Sequence, residues 1–265
     1  MLLANTGFWT PLGQAASVDW CEANYLIVTW IAEFWNTLSS LPIMLGGLIG
    51  WFLLRRLGRE VETRYTLAFA LIGLVGLGSV GFHGTLLASA QALDELPMVY
   101  AALVLAYCLR FGRIAEDGPS QVRWRVGLTI FALGFTVAYF LSDTYFQLFV
   151  GCFGLIVAWL CIQGARVVFS SPSGSSLRPL YWMAAGGFVG AFVCFWLPER
   201  FLGCTHPAQA LQLHALFHLL AAVGSYNAGL VLLFDRLRFL GLEPKMSWGW
   251  PIPFPRLPGG DAGSL

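Results

Sequence analysis

The sequence predicts an all-α integral membrane protein of seven transmembrane helices, with the N-terminus lumenal or extracellular and the C-terminus cytosolic. Three observations predict it. Of 265 residues, 57% are hydrophobic and only 11% charged, too little polar surface to wrap a soluble globule of this size. Seven apolar segments approach the length needed to cross about 30 Å of hydrocarbon. The loops between them sort by charge onto two sides.

The first segment, near 31–54, contains Glu33, an expensive residue in an apolar span unless something neutralises it. The second, near 65–87, ends on the N-terminal side with Ser79 and His83. The third, near 94–111, opens there with Asp94 and Glu95. The fourth and fifth, near 126–141 and 145–168, are mostly apolar inside, which argues against a polar transport path. The sixth lies near 180–197, and the seventh, near 211–234, opens with His214 and His218. Segments three, four and six fall short of about 20 residues, so their ends are expected to extend into polar flanks or the bilayer to thin around them.

An odd number of crossings puts the termini on opposite sides. Of the 15 Lys and Arg residues, only Arg200 falls on the N-terminal side, while Arg55, Arg56, Arg59, Arg64, Arg110, Arg113 and the remainder fall on the other. The positive-inside rule then makes the C-terminus cytosolic. A glycosylation acceptor placed near Thr6 tests this. The N-terminus has no basic start and no unbroken apolar core, so insertion is expected to rely on the first membrane helix. With 14 Asp and Glu against those 15 cations and no basic run, nucleic acid is excluded as a partner.

The chain divides into a lumenal segment at 1–30, a seven-helix domain at 31–234 and a short cytosolic tail at 235–265. SSPSGSS is a Ser-rich loop, and the tail, Pro/Gly-rich after Pro251, is expected to be disordered.

Three of the four histidines lie in or at the edge of apolar segments. His214 and His218, spaced i, i+4, share one helix face, where two imidazoles can grip one tetrahedral ion. His83 can supply a third ligand, and three histidines with one open position are the pattern of a catalytic rather than a structural zinc. The alternative is a set of interhelical hydrogen bonds. Ser79, one turn before His83, faces the same way, and Asp94 across the turn can reach a water there; a small polar residue easing helix packing is the plainer account of Ser79. His206, beside Pro207, is outside this pattern. Asp19, Glu22, Asn24 and Glu33 offer hard oxygen ligands suited to calcium, without EF-hand spacing. A buried hydrogen-bond network or a protonated Glu33 accounts for them equally.

The stretches SVDWCEANY, IAEFWNTLSSLP, GLGSVGFHGTL, QALDELPM and LQLHALFHLL together resemble the alkaline ceramidases, within the wider superfamily of adiponectin and progestin receptors. The resemblance implies a zinc-dependent hydrolase cleaving the ceramide amide to a sphingoid base and a free fatty acid, in an endoplasmic reticulum or Golgi membrane. It implies zinc on His83, His214 and His218, an oxyanion contact from Ser79 and general acid/base work by Asp94. It also implies calcium on Asp19, Glu22, Asn24 and Glu33 with the Trp20 carbonyl. Ceramide and the bilayer are then the partners, with no obligate protein partner evident. The chain departs from the family pattern after Trp196, where Leu197 to Cys204 carries an extra residue. The competing reading is a seven-helix receptor with little or no turnover. Cys21 and Cys204 are the only two of six cysteines on the N-terminal side, a candidate disulfide in an oxidising lumen.

Overall fold

The computed structural model describes residues 8–57, 61–114, 118–170, 176–247 and 254–257. Arg59, Thr6, most of the Ser-rich loop (171–175) and the last eight residues lie outside them.

Among the described residues, seven helices are long and apolar enough to cross a membrane. They are α1 (Phe34–Arg56), α2 (Thr63–Thr85), α3 (Ala88–Phe111), α4 (Pro119–Leu141), α5 (Tyr145–Phe169), the composite α6 (Arg178–Gly190) with α7 (Leu197–Leu202), and α9 (Leu213–Phe239), the last preceded by a short α8 (His206–Leu211). The three segments expected to be short do extend into polar flanks. In α4 this is local chemistry: Pro119 opens the helix, where a missing N–H costs nothing, and Gln121 Oε1 accepts from the Gly118 N–H at 2.5 Å. One consequence corrects the sequence expectation for α3. It begins at Ala88, so Asp94 and Glu95 sit in its second turn rather than opening it. Glu33, expected inside the first span, instead occupies the N-cap position just before α1.

Between α6 and α7 the chain makes a π-helical stretch, Ala191–Trp196. Pro198 has no N–H to offer the carbonyl four residues back, so the α ladder is already interrupted there. The wider turn lets the helix run on into α7 without ending.

α1 packs on α2 and α9, α2 on α3, and α6 on α9, whereas α4 meets the rest through α3 and α5. The α1–α2 crossing is backbone against backbone, since a Cβ on Gly47 would lie 2.1 Å from the Gly73 nitrogen. At the α2–α3 crossing a Cβ on Gly78 would lie 2.2 Å from the Leu93 carbonyl oxygen. Glycine is required at both crossings, and the second brings Ser79 beside Asp94.

Of the tail, expected to be disordered, the described residues after Pro251 are 254–257. Strands β1 (Lys245–Ser247) and β2 (Phe254–Arg256) pair antiparallel, and Phe254 is buried against the main apolar core. An aromatic side chain recovers enough by leaving water to anchor such a short strand pair.

Candidate metal centre

At the end of the bundle reached first by the chain, α2 and α9 present His83, His214 and His218, all buried. Their ligand atoms lie within 4.8 Å of one another. Gln212, in a left-handed conformation at φ 49°, turns the chain directly into α9 and sets His214 in its first turn. Each ring is oriented by a different neighbour.

His83 Nδ1 lies 2.5 Å from Glu33 Oε2, and its Nε2 is buried with no hydrogen-bond partner. A neutral imidazole whose Nδ1–H donates to a carboxylate presents a bare Nε2 lone pair, the arrangement that metal-binding histidines use. His218 Nδ1 lies 3.0 Å from Ser39 Oγ and 3.3 Å from Ser40 Oγ. Ser39 Oγ in turn lies 3.1 Å from the Asn36 carbonyl as donor, which leaves its lone pairs to accept from the ring. His214 stacks on the Trp20 indole, centroids 3.6 Å apart, and its Nδ1 is 3.7 Å from Glu199 Oε2. Neither of those last two atoms has a hydrogen-bond partner, so a small rotation would join them. The donor set suits zinc: three neutral imidazoles on rigid helices, two with an acceptor at the outer nitrogen.

Ser79 and Asp94 line the cavity below this cluster together with His214 and His218. Ser79 Oγ is 2.9 Å from Ser40 Oγ, which also reaches the Asn36 carbonyl at 2.7 Å. When Ser40 turns its proton to Ser79, the Ser79 proton becomes free to donate into the cavity.

The five residues expected to bind calcium come together beside α1. Glu22 accepts from the backbone N–H of Trp35 at 2.6 Å and of Asn36 at 2.9 Å, capping a helix whose own N-cap residue does not. Glu33 Oε1 accepts from the Trp20 N–H at 2.8 Å, and Asn24 Nδ2 donates to both Asp19 oxygens, at 3.1 and 2.9 Å. Desolvation raises Asp19 to about 6 and Glu33 to about 7, and also raises Glu22, with the charge of Glu33 adding to the first and third. The cluster thus combines a hydrogen-bond network with carboxyl groups that burial holds above their ordinary range.

Cys21 and Cys204 are joined by a disulfide, Cα atoms 4.8 Å apart. Next to it, Glu199 Oε1 accepts from the Cys21 N–H at 3.0 Å. Four residues of this site were not singled out from the sequence. Asn36, Ser39 and Ser40 could have been, because i, i+3, i+4 puts three polar groups on one face of an apolar helix. Glu199 could not, since its inward aim depends on the wide turn before it.

A model of the family described as Ceramidase matches residues 13–259 of the chain. Alkaline ceramidase 3 of Mus musculus is 29% identical over 253 residues, covering 91% of each chain. The alkaline ceramidase of Arabidopsis thaliana is 28% identical, covering 92% of each. That of Drosophila melanogaster is 40% identical over 129 residues, 47% of this chain and 46% of the relative.

Proposed function

The chain belongs to the ceramidase family, and from that premise we propose that it cleaves the amide of ceramide, releasing a sphingoid base and a free fatty acid, with zinc as its metal. The observation that carries the reading is the cluster of three buried histidines whose ligand atoms lie within 4.8 Å of one another, two of which, His214 and His218, line a cavity together with Ser79 and Asp94. His83, His214 and His218 would hold the ion, which when bound polarises a carbonyl and lowers the pKa of water to about 7.

The remaining work falls to side chains. An amide needs a nucleophile better than water and a proton for its departing nitrogen. Asp94, buried in the cavity wall, takes the proton from water and passes it to that nitrogen. Ser79 donates to the oxyanion that develops on the carbonyl oxygen, its own orientation set by Ser40. Glu33 and Ser39 hold two of the rings so that their free nitrogens converge. In this reading calcium is bound by Asp19, Glu22, Asn24, Glu33 and the Trp20 carbonyl, and braces the segment that caps α1. The crowded carboxylates support it, and a chelator should then lower thermal stability.

The reading also includes an N-terminal face directed to the lumen of the endoplasmic reticulum or Golgi and no obligate protein partner. The one-sided basic residues support that orientation, and acceptor-site glycosylation together with cell fractionation checks it. Family membership does not favour the receptor alternative. The deciding test is fatty acid and sphingoid base release by the purified chain, with zinc measured in the same sample. Equimolar zinc with turnover is expected, and zinc without turnover on any ceramide would overturn the reading.

A further inference from the structure

The three histidines differ in how firmly each ring is oriented. A histidine side chain can make a half-turn about its Cβ–Cγ bond, which exchanges Nδ1 with Cδ2, and a neutral ring can carry its proton on either nitrogen. Both choices must be fixed before the ring can offer a particular lone pair to a metal. At His83 the Glu33 carboxylate stands at Nδ1, and at His218 the hydroxyls of Ser39 and Ser40 stand at the same nitrogen. At His214 the Trp20 indole lies nearly parallel to the ring, with 18° between the planes. Stacking sets the plane of the ring and leaves both choices open, because a half-turn returns the ring to the same plane.

Glu199 stands where a third partner belongs. It lies in the first turn of α7, which ends at Gly203 in a conformation that favours glycine, φ 59°, and the next residue, Cys204, is bridged to Cys21. The bridge holds the segment before α1 against the end of α7, and there the Cys21 N–H donates to Glu199 Oε1 at 3.0 Å. With one oxygen tied, the carboxylate keeps little freedom. Its Oε2 faces His214 Nδ1 at 3.7 Å, and both atoms are buried without a hydrogen-bond partner. Leaving two such groups unpaired in the interior costs free energy that joining them recovers. Glu199 is not one of the three residues whose ligand atoms lie within 4.8 Å of one another, so it acts on the ring rather than on an ion.

Resting on the zinc part of the hydrolase reading, we infer that Glu199 is the positioning residue of His214: its Oε2 accepts the Nδ1 proton, which leaves the His214 Nε2 lone pair bare for the metal. All three rings then have an outer partner at Nδ1, supplied by Glu33 before α1, by Ser39 and Ser40 within α1, and by Glu199 in α7. The role needs both carboxylate oxygens, one for the Cys21 N–H and one for His214. A glutamine offers one oxygen, and its NH2 group only donates. Glu199→Gln therefore keeps the size of the side chain and loses one of the two bonds, unless the ring moves its proton to Nε2 and accepts at Nδ1.

The test uses the purified full chain labelled with nitrogen-15 at histidine and stripped of metal. The tautomer of each ring is read from its two nitrogen shifts, and with four histidines in the chain the His214 signals are assigned by their loss in His214→Gln. Zinc affinity is measured by competition with a chelator, and thermal unfolding is recorded on the metal-free proteins. The unaltered protein is expected to carry the His214 proton on Nδ1. Glu199→Gln is expected to move it to Nε2 and to weaken zinc binding by about 10–100-fold, the usual result of losing a ligand's outer partner. The His83 and His218 signals should stay in place.

A His214 proton found on Nε2 in the unaltered metal-free protein would overturn the inference without any variant, and that spectrum decides alone if Glu199→Gln does not fold. A Glu199→Gln protein that unfolds at a lower temperature yet keeps the His214 tautomer and the zinc affinity would make Glu199 a structural residue only, and the inference would fall. If neither protein binds zinc but the His214 tautomer follows Glu199, the zinc reading fails and the positioning role stands.

Discussion

The half of the bundle made by α1, α2, α3 and α9 and the half made by α4 and α5 differ in almost every respect. In α2 and α3, 56% and 72% of the span is buried inside the protein, against 11% in both α4 and α5. The first half crosses glycine against backbone and carries every proposed zinc ligand, Ser79 and Asp94. The second half is apolar outward, with Leu133 and Leu155 among its exposed residues, and its α5 supplies one wall of the cavity. Lipid can take the place of a packing partner for apolar side chains, but not for a cluster of imidazoles and carboxylates. The division teaches that dense packing is concentrated where atoms must be held to within fractions of an ångström, and that the lipid-facing wall is left thin.

The comparison breaks most sharply at the histidines. His214→Ala should remove zinc and turnover together, measured by metal analysis and product release; turnover at normal zinc content would end the scheme. Next is Gly78→Leu, whose side chain has no room against the Leu93 carbonyl. Overpacking of this kind costs about 1–3 kcal/mol or more, and the variant should be recovered poorly, with a lowered Tm. Ser79→Ala should fold normally and lose about 10²–10³ in kcat, the usual consequence of deleting one oxyanion donor. Glu33→Gln should weaken zinc retention or activity by about 10–100-fold, because it alters the partner of the His83 ring. At the far end of the scale, Leu133→Ala on the lipid-facing side of α4 should shift stability by no more than about 0.5 kcal/mol. A large effect there would mean that α4 is a packed element after all.

The histidine pattern was legible because an i, i+4 pair on an apolar helix has few cheap uses, and Ser79 follows from helical spacing to His83. The seven spans were legible for the same reason: about 20 apolar residues in a row have one economical destination. What stayed hidden was the set of neighbours acting across helices. Ser39 and Ser40 reach His218 from 179 and 178 residues away in the chain, and Gln91 joins Glu95 on its own helix to Ser17 at the N-terminal segment. Helix boundaries were hidden too, since polar flanks such as Ser89 and Gln91 extend α3 by six residues beyond its apolar stretch. The strand pairing at Phe254 is not legible in a Pro/Gly-rich composition, which says nothing of what one aromatic residue can dock against.

The sequence by itself determined the solvent, the number of crossings and the residue types able to hold a metal, because hydrophobic length and side-chain chemistry are properties of local stretches. Only the tertiary structure decided which nitrogen of each histidine faces inward, where Glu199 points after the π-helical turn, and that a cavity lined by Ser79 and Asp94 lies beside them. Those are properties of packing. They depend on the distances between helices far apart in the chain, which glycine contacts such as Gly47 against Gly73 and Gly78 against Leu93 set and which no periodicity records.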